Sequence, residues 1–383
     1  MAMHHPSTGL ARYDVVVIGA GIAGSAIASF LSRRASVCLL EMESQPGYHS
    51  TGRSAALFAE PYGNAVVRSL TRASRAFFEA PPNAFTAVNL LKPRPVLITA
   101  RAEQAAAMEE FIAASEPSDG VLPQSAAEAI SRCPILRPES VAYATLIGSP
   151  SDIDVHELQQ GFLRVVKTQG GTVTTAAQVV GIERDSSGWI VTTTGQRIRA
   201  GIVVNAAGAW AGAVGKLAGA QDIGLRPLKR TACLIAAPEG ARLETWPLVM
   251  NVAEEFYFKP EAGMLMLSPA DETPAEPCDA QAEELDIAIA VDRLERATTL
   301  QVRRVAHKWA GLRSFVADRS PVIGFDTLQP DFFWVAALGG YGVQTSPAVG
   351  NVAASLVLRE AIDEKVLACG VAAKSFAPDR LIA

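Results

Sequence analysis

The start of the chain shows a clear change of hydrophobic period. Residues 15–18 are a β-branched run that predicts a buried strand, and apolar residues then recur at helical spacing over 26–31. Between them lies the sequence GAGIAG at 19–24, whose glycines predict a tight turn. A second apolar run at 37–40 ends at Glu41, 22 residues after the first glycine. The pattern predicts one strand–helix–strand unit.

Beyond Glu41 the pattern does not repeat that unit. A polar loop at 47–56 leads into a helix from about 64 to 79, and a proline-rich stretch at 81–95 marks the start of a second lobe. The later periodicities predict strands at 96–99, 202–204 and 333–336, helices near 102–115, 125–132, 282–297 and 343–359, a helix capped by Asp152 or Asp154 that runs to about 167, a meander of short strands over 173–205 and longer strands over 225–267. The chain therefore interleaves two lobes.

Composition narrows the class of protein. The 383 residues are 49% hydrophobic and carry a formal net charge of −5, which is typical of a globular chain and offers no basic patch for nucleic acid or anionic lipid. The five cysteines are scattered, without the spacing of a zinc site or a disulfide framework, so we expect no metal and a cytoplasmic protein. The uncharged stretch 15–30 is interrupted by three glycines, so we expect no transmembrane segment.

The glycine turn carries the first chemical prediction. Glycines at 19, 21 and 24 let the backbone approach a pyrophosphate at a helix N-terminus, and Glu41 can accept hydrogen bonds from ribose hydroxyls. The simpler alternative is a tight strand-to-helix corner without a ligand. Loop 50–56 and the turn 339–342 present further small residues and backbone amides, which favours the longer FAD over NAD, although 339–342 could also be an ordinary glycine-rich turn.

The same segments resemble a known family. The chain is similar to the D-amino-acid oxidase-type flavoproteins, which include glycine and sarcosine oxidases and D-amino-acid dehydrogenases, and among them it most resembles the D-arginine dehydrogenases. The resemblance rests on residues 19–24 with Glu41, 47–56, 205–210, 256–260, 309–318 and 339–346.

The resemblance implies a fold that combines α/β and α+β parts. A Rossmann-like FAD lobe would comprise residues 12–80, 150–220 and 310–383, and a mixed-sheet substrate lobe would comprise 81–149 and 221–309. FAD would be bound non-covalently. The implied cofactor-binding residues are Gly19, Gly21, Ala23, Gly24, Glu41, Ser50, Thr51, Arg53, Ser54, Ala55, Ala56, Val179, Ala207, Gly208, Trp210, Gly339, Gly340, Tyr341, Gly342, Val343 and Gln344.

The resemblance also implies catalytic roles. Arg230 and Arg313 would bind the substrate carboxylate, aided by Tyr257 and by Tyr62 on a mobile loop. The backbone of Gly340 and the side chain of Gln344 would lie near the amino group, and a hydride would pass from Cα to flavin N5. Without the resemblance, the arginines would be interpreted as salt-bridged surface residues and Tyr257 as a packed core residue.

The chain departs from the D-arginine dehydrogenases where the side chain of the substrate is selected. Val96 stands where that group has a glutamate, and Leu57 and Ala59 replace its histidine and threonine. With Leu248 and Met250 nearby on the same analogy, the predicted pocket is apolar, which makes D-arginine and D-lysine doubtful substrates because a buried cation would lack a partner.

The predicted function is oxidative deamination of a D-amino acid with an apolar side chain. Three alternatives stay open: a glycine- or sarcosine-type oxidase that cleaves an N-substituted amino acid, a 2-hydroxy-acid dehydrogenase, which needs a base near the hydroxyl, and a flavin-binding subunit without catalysis. The electron acceptor, dioxygen or a quinone or other carrier, is left open by the sequence.

Overall fold

The computed structural model describes residues 10–382, which form two large sheets, one small sheet and the helices that cover them. The strands are β1 (Ala11–Ile18), β2 (Val37–Leu40), β3 (Leu57–Phe58), β4 (Leu91–Pro93), β5 (Val96–Ala100), β6 (Val121–Gln124), β7 (Tyr143–Ile147), β8 (Ser151–Ile153), β9 (Thr172–Thr174), β10 (Val179–Asp185), β11 (Gly188–Thr193), β12 (Arg197–Asn205), β13 (Arg226–Ile235), β14 (Leu248–Asn251), β15 (Tyr257–Glu261), β16 (Met264–Ser268), β17 (Thr273–Pro274), β18 (Val305–Phe315), β19 (Val322–Phe325) and β20 (Phe332–Ala336).

The helices follow the predicted periodicities closely. They are α1 (Ile22–Leu31), α2 (Ala65–Glu79), α3 (Ala105–Ala113), α4 (Ala126–Arg132), α5 (Val155–Thr168), α6 (Ala211–Leu217), α7 (Glu284–Ala297), α8 (Gly342–Val357) and α9 (Glu364–Leu367), with short 3₁₀ turns at 102–104, 117–119, 138–140, 208–210, 243–245, 373–375 and 378–381. Asn64 caps α2 by accepting from Val67 N, and Asp154 rather than Asp152 caps α5 by accepting from Glu157 N.

The first sheet has a parallel core. Strand β1 lies between β2 and β12, and β9 and β20 extend the parallel order to β9-β2-β1-β12-β20. The hairpin of β10 and β11 pairs antiparallel with the first half of β12, and β19 pairs antiparallel with β20. The carboxyl ends of β1, β2 and β12 therefore meet at one edge, where open parallel sheets bind their ligands.

Both faces of the first sheet are covered. Helices α1, α5 and α8 bury one face around Ile27, Leu163 and Val349. On the other face α6 and the β10–β11 hairpin enclose Trp189 and Trp334. This two-sided burial explains why the strands read as continuous apolar runs in the sequence.

The second sheet is mixed and mostly antiparallel. Its order is β17-β13-β16-β15-β14-β5-β7-β6, with β18 along the other edge of β13, and β5 pairs parallel with β14. Side chains of β5 alternate between two cores, so that Val96 and Ile98 face one and Leu97 faces the other. The predicted combination of a Rossmann-like part and a mixed sheet is confirmed, and the predicted boundary at residue 310 falls inside β18.

The small sheet has the order β3-β8-β4, and an ion pair joins its central strand to β15 of the second sheet. Asp152 in β8 lies 2.9 Å from Lys259 Nζ and 2.8 Å from Arg94 Nε. The side chains of Lys259 and Arg94 are only 2% and 5% exposed, so both cations of this network are buried. Within residues 10–382 no helix is long and apolar enough to span a membrane.

Candidate active site

The glycine turn brings three chain segments into contact. Gly19 has φ +98°, and a Cβ there would lie 2.6 Å from the carbonyl oxygen of Ala206 at the end of β12. A Cβ on Gly24 would lie 1.8 Å from the oxygen of Gly19. Only glycines therefore allow α1 to begin this close to the ends of β1 and β12. The result is a helix N-terminus open to an anionic ligand.

Glu41 and Thr51 hold this N-terminus in place. Glu41 is buried and accepts hydrogen bonds from Ala20 N at 2.8 Å and Glu43 N at 3.0 Å. The hydroxyl of Thr51 accepts from Ile22 N at 3.0 Å, so a side chain from the loop caps the helix. Each carboxylate oxygen of Glu41 has a further lone pair, so its predicted role as an acceptor for ligand hydroxyls stays a prediction.

A first cavity, the glycine cleft, opens at this edge of the first sheet. Of the predicted cofactor-binding residues it is lined by Gly19, Gly21, Glu41, Ser50, Thr51, Val179, Ala207, Gly208 and Trp210. The rings of Trp210 and His49, which both line the cleft, contact each other at a tilt of 49° with centroids 4.6 Å apart.

A second cavity, the central cavity, adjoins the cleft at Gly21, Thr51 and Gly208. It collects residues from the loop, from β13, β15 and β18 and from the turn before α8. Its predicted members are Gly21, Ala23, Ser50, Thr51, Arg53, Ser54, Ala55, Gly208, Arg230, Tyr257, Arg313, Gly339, Gly340, Gly342 and Val343.

A third cavity, the apolar chamber, follows beyond Tyr257 and Arg313. All four predicted pocket residues line it, together with residues from the loop and from α8: Leu57, Val96, Leu248, Met250, Ser54, Ala55, Ala56, Tyr62, Tyr257, Arg313, Gly340, Val343 and Gln344. No histidine, aspartate or glutamate among the described residues lines the central cavity or the chamber.

Arg313 lies where the central cavity joins the apolar chamber, and a second arginine, Arg230, lines the central cavity. In the antiparallel pair of β13 and β18, Arg230 lies opposite Gly311 and Arg313 lies opposite Leu228. The two guanidinium-bearing residues are therefore diagonal neighbours on one face of the sheet. Among residues 10–382, no carboxylate oxygen lies within 4.0 Å of the Arg313 guanidinium, whereas Arg230 has Glu272 at 3.3 Å.

Tyrosines surround this pair of cations. Burial raises the pKa of Tyr257, but the charges of Arg313 and Arg230 together with a hydrogen bond to Ser268 outweigh it, so the pKa lies below its ordinary value. Burial disfavours the charge of Arg313, but Tyr62 and Tyr257 beside it leave its pKa above the ordinary value. Arg313 therefore keeps its positive charge in this partly buried position, next to the tyrosine rings.

Two predicted site residues have their polar atoms engaged by the protein. Gln344 Oε1 accepts from Ala59 N at 3.0 Å and Nε2 donates to Thr71 Oγ1 at 3.1 Å, which ties the loop before Tyr62 to α2 and α8. Arg53 donates to the carbonyl oxygens of Ala280 and Ala310 and pairs with Asp279. Both contacts hold segments of the site together.

Two other predicted residues do not line these cavities. Gly24 serves close packing against Gly19, and the ring of Tyr341 packs edge-on against Tyr62 with centroids 5.1 Å apart. Burial raises the pKa of Tyr341 to about 12. Sequence reasoning missed other lining residues, chiefly Ala206, Ala209, Met266, Leu312, Ser314 and 335–338 in the central cavity and Pro61, Ile98, Phe111, Ile147 and Pro150 in the chamber.

The residues fit an adenine dinucleotide with a flavin. The glycine cleft and the central cavity adjoin. Backbone atoms at Ala206 and Ala207 leave no room for a side chain at Gly19, and a Cβ on Gly21 would make a tight contact of 3.3 Å with Thr51 Oγ1. At the far end, Gly340 packs against Arg313, since a Cβ there would lie 2.8 Å from the arginine Nη1. A long ligand would thus end beside the two arginines.

Comparison with known families and proteins agrees with this fit. A model of the FAD-dependent oxidoreductase (DAO) family matches residues 14–356. FAD-dependent oxidoreductase domain-containing protein 1 of Mus musculus is 25% identical over 401 residues, covering 90% of this chain and 81% of that protein. Glycine oxidase of Geobacillus kaustophilus (strain HTA426) is 25% identical over 366 residues, covering 91% of this chain and 94% of that protein.

Solved structures share the fold. The crystal structure of glycine oxidase from Geobacillus kaustophilus superposes with a TM-score of 0.79 at 24% identity and covers 92% of this chain and 97% of that chain. L-proline dehydrogenase from P. horikoshii superposes with a TM-score of 0.82 at 21% identity and covers 97% of this chain and 98% of that chain. These likenesses confirm the predicted fold.

Proposed function

The chain belongs to the FAD-dependent oxidoreductase family, and we propose that it oxidises the Cα–N bond of a D-amino acid with an apolar side chain. The product is an imine, which water hydrolyses to an oxo acid and ammonia. When bound, FAD accepts the hydride that leaves Cα. The other steps of binding and orientation fall to the side chains of this chain.

The observation that carries the proposal is the Arg313 guanidinium. It lies at the junction of the central cavity and the apolar chamber, with Tyr62 and Tyr257 beside it and no carboxylate partner among the described residues. A substrate carboxylate can supply that partner through two parallel hydrogen bonds. Arg230, diagonal to it on the same sheet face, adds a second cation.

The chamber supports the choice of side chain. Its walls include Leu57, Val96, Ile98, Leu248 and Phe111, all apolar. An aliphatic or aromatic side chain would remove apolar surface from water at about 25 cal/mol per Å². Glycine or sarcosine would leave this chamber unfilled, which favours a larger amino acid. The D configuration rests on the family resemblance.

Proton chemistry supports an amine rather than an alcohol. Oxidation of a neutral amine needs no protein base, whereas oxidation of a 2-hydroxy acid needs a group that takes the hydroxyl proton. In residues 10–382 neither the chamber nor the central cavity has a histidine or carboxylate in its lining. The substrate amine must therefore lose its own ammonium proton before or during binding.

Anaerobic reduction of the yellow protein tests the proposal. We expect D-amino acids with apolar side chains to bleach the flavin absorbance faster than their L-isomers, N-methyl amino acids or 2-hydroxy acids. Arg313→Met should keep FAD and lose at least ten- to a hundredfold in reduction rate per molar substrate, the typical cost of a charged hydrogen bond. Bleaching by none of these amines, or an unaffected Arg313→Met variant, would contradict the proposal. Reoxidation by dioxygen or by a soluble quinone then identifies the acceptor.

A further inference from the structure

Arg230 differs from Arg313 because an acidic residue already contacts it. Its Nη2 lies 3.3 Å from Glu272 Oε1, and its Nε donates to the carbonyl oxygen of Asp271 at 2.7 Å. The side chain of Arg230 is only 7% exposed. The charge that it offers to a ligand is therefore partly neutralised by the protein.

Glu272 is shared with a third arginine. The same Oε1 accepts from Arg319 Nη2 at 2.8 Å, a shorter contact than the one to Arg230. The guanidinium of Arg319 lies over the ring of Phe315, 3.8 Å from its centroid, and Phe315 follows Arg313 by two residues in β18. Glu272 therefore lies between two arginines, with Arg319 on the outer side of the site and Arg230 on the inner side.

We propose that Glu272 and Arg319 tune the carboxylate site through Arg230: Glu272 weakens the binding of a substrate carboxylate, and Arg319 strengthens it by drawing Glu272 away. This proposal rests on the proposed function. Neither Glu272 nor Arg319 is among the residues that line the central cavity or the apolar chamber, so both act as positioning residues whose effect passes through Arg230.

The physical basis is competition between two anions for one cation. A substrate carboxylate between Arg313 and Arg230 places a second negative charge near Glu272 and repels it. Replacing Glu272 with glutamine removes the competitor and leaves Arg230 fully charged toward the ligand. Replacing Arg319 with glutamine leaves Glu272 with Arg230 as its remaining arginine partner and strengthens the competition.

Opposite effects of the two substitutions separate this role from a structural one. Glu272→Gln and Arg319→Gln break the same ion pair, so a purely structural role would move ligand affinity in one direction for both. Tuning through Arg230 instead predicts tighter binding for Glu272→Gln and weaker binding for Arg319→Gln. The double variant should bind the ligand with an affinity near that of the wild type, because it lacks both Glu272, the competing anion, and Arg319, the cation that draws Glu272 away.

The test is a titration of the FAD-loaded protein with benzoate, followed by the change in flavin absorbance. Benzoate offers one carboxylate for the arginines and an apolar ring for the chamber. We expect the Kd of Glu272→Gln to fall about three- to tenfold and that of Arg319→Gln to rise by a similar factor, as for one charge acting through partly solvated surroundings. Glu183→Gln, which breaks the exposed Arg197–Glu183 pair on the first sheet, is the matched control and should leave Kd unchanged.

The outcomes separate the two proposals. If wild-type protein does not bind benzoate, or Arg313→Met binds it normally, the proposed function fails and this inference fails with it. If Arg313→Met loses binding but Glu272→Gln and Arg319→Gln shift Kd in the same direction, or not at all, only the tuning role is overturned. Shifts in KM with little change in kcat for the two variants would support the tuning of ground-state carboxylate binding.

Discussion

Replacing Val96 with glutamate should move the substrate preference of the protein toward basic side chains. Val96 lies in β5 between Leu248 of β14 and Ile147 of β7, is 4% exposed and faces the apolar chamber. A carboxylate at this position would be a chamber-lining anion opposite the side chain of the substrate. The wild-type chamber has no acidic residue among its described lining residues.

The expected magnitude follows from the cost of an unpaired buried charge. A D-arginine guanidinium in the wild-type chamber would lack an anion, at about 3 to 5 kcal/mol, which corresponds to a factor of hundreds to thousands in kcat/KM. Val96→Glu supplies the anion and should recover much of that factor for D-arginine. The same substitution should lower kcat/KM for D-leucine, since the new carboxylate must then be buried beside an apolar side chain.

The assay is the ratio of anaerobic flavin reduction rates for D-leucine and D-arginine. Val96→Gln is the matched control because it has the shape of glutamate without the charge. We expect the leucine-to-arginine ratio to fall much further in Val96→Glu than in Val96→Gln. Wild-type protein with D-arginine as its best substrate, or equal ratios in the two variants, would refute the assignment of Val96 to the chamber wall.

Three further outcomes are expected. Glu41→Ala should weaken FAD binding about ten- to a hundredfold in titrations of apoprotein, because a buried acceptor of backbone and ligand hydrogen bonds is lost; unchanged affinity would exclude its role. Asp152→Asn should lower the melting temperature at fixed FAD concentration more than Lys259→Met, because it removes the carboxylate that pairs with both Arg94 and Lys259 and leaves Lys259 only the more exposed Glu261; the reverse order would contradict that account. The pKa of Tyr257 should lie below its usual value, so its ionisation contributes stability at high pH that is lost as pH falls through the folded pKa. Arg313→Met should raise this pKa, as followed by the ultraviolet absorbance of the tyrosinate. An unchanged pKa would show that the Arg313 cation does not act on Tyr257.

Local patterns predicted most of the elements. The glycine turn at 19–24, the helix from about 64 to 79 and the helix that ends near 167 all depend on neighbours in sequence, and the structure has them. The spacing of apolar residues along a helix or strand depends on whether one face or both faces are buried. The bounds of α2, α4 and α8 follow the spacing of apolar residues in the sequence. These features need no knowledge of distant contacts.

The rest of the site depends on contacts between distant segments. Phe111 reaches the chamber from α3, and Ile147 reaches it because β7 pairs with β5, which no local period reveals. The sequence offers Asp152 as a candidate helix cap, but its carboxylate binds Lys259, which lies in a strand more than a hundred residues later in the chain. Ile98 could have been found, because it shares a strand face with Val96.

One strand explains why the cofactor end and the substrate end of the site stay in register. Strand β18 carries Arg313 toward the chamber, while the carbonyl oxygen of the next residue, Ser314, accepts from Gly339 N at 3.0 Å. Gly339 has φ +53°, and a Cβ there would lie 2.3 Å from the Phe315 ring, so the turn before α8 packs directly on β18. One backbone hydrogen bond therefore links the turn before α8 to the strand that carries Arg313, the residue that we propose binds the substrate carboxylate. A side chain at Gly339 or Gly340 should displace Arg313 and the turn together, and thereby uncouple carboxylate binding from the flavin end of the cavity.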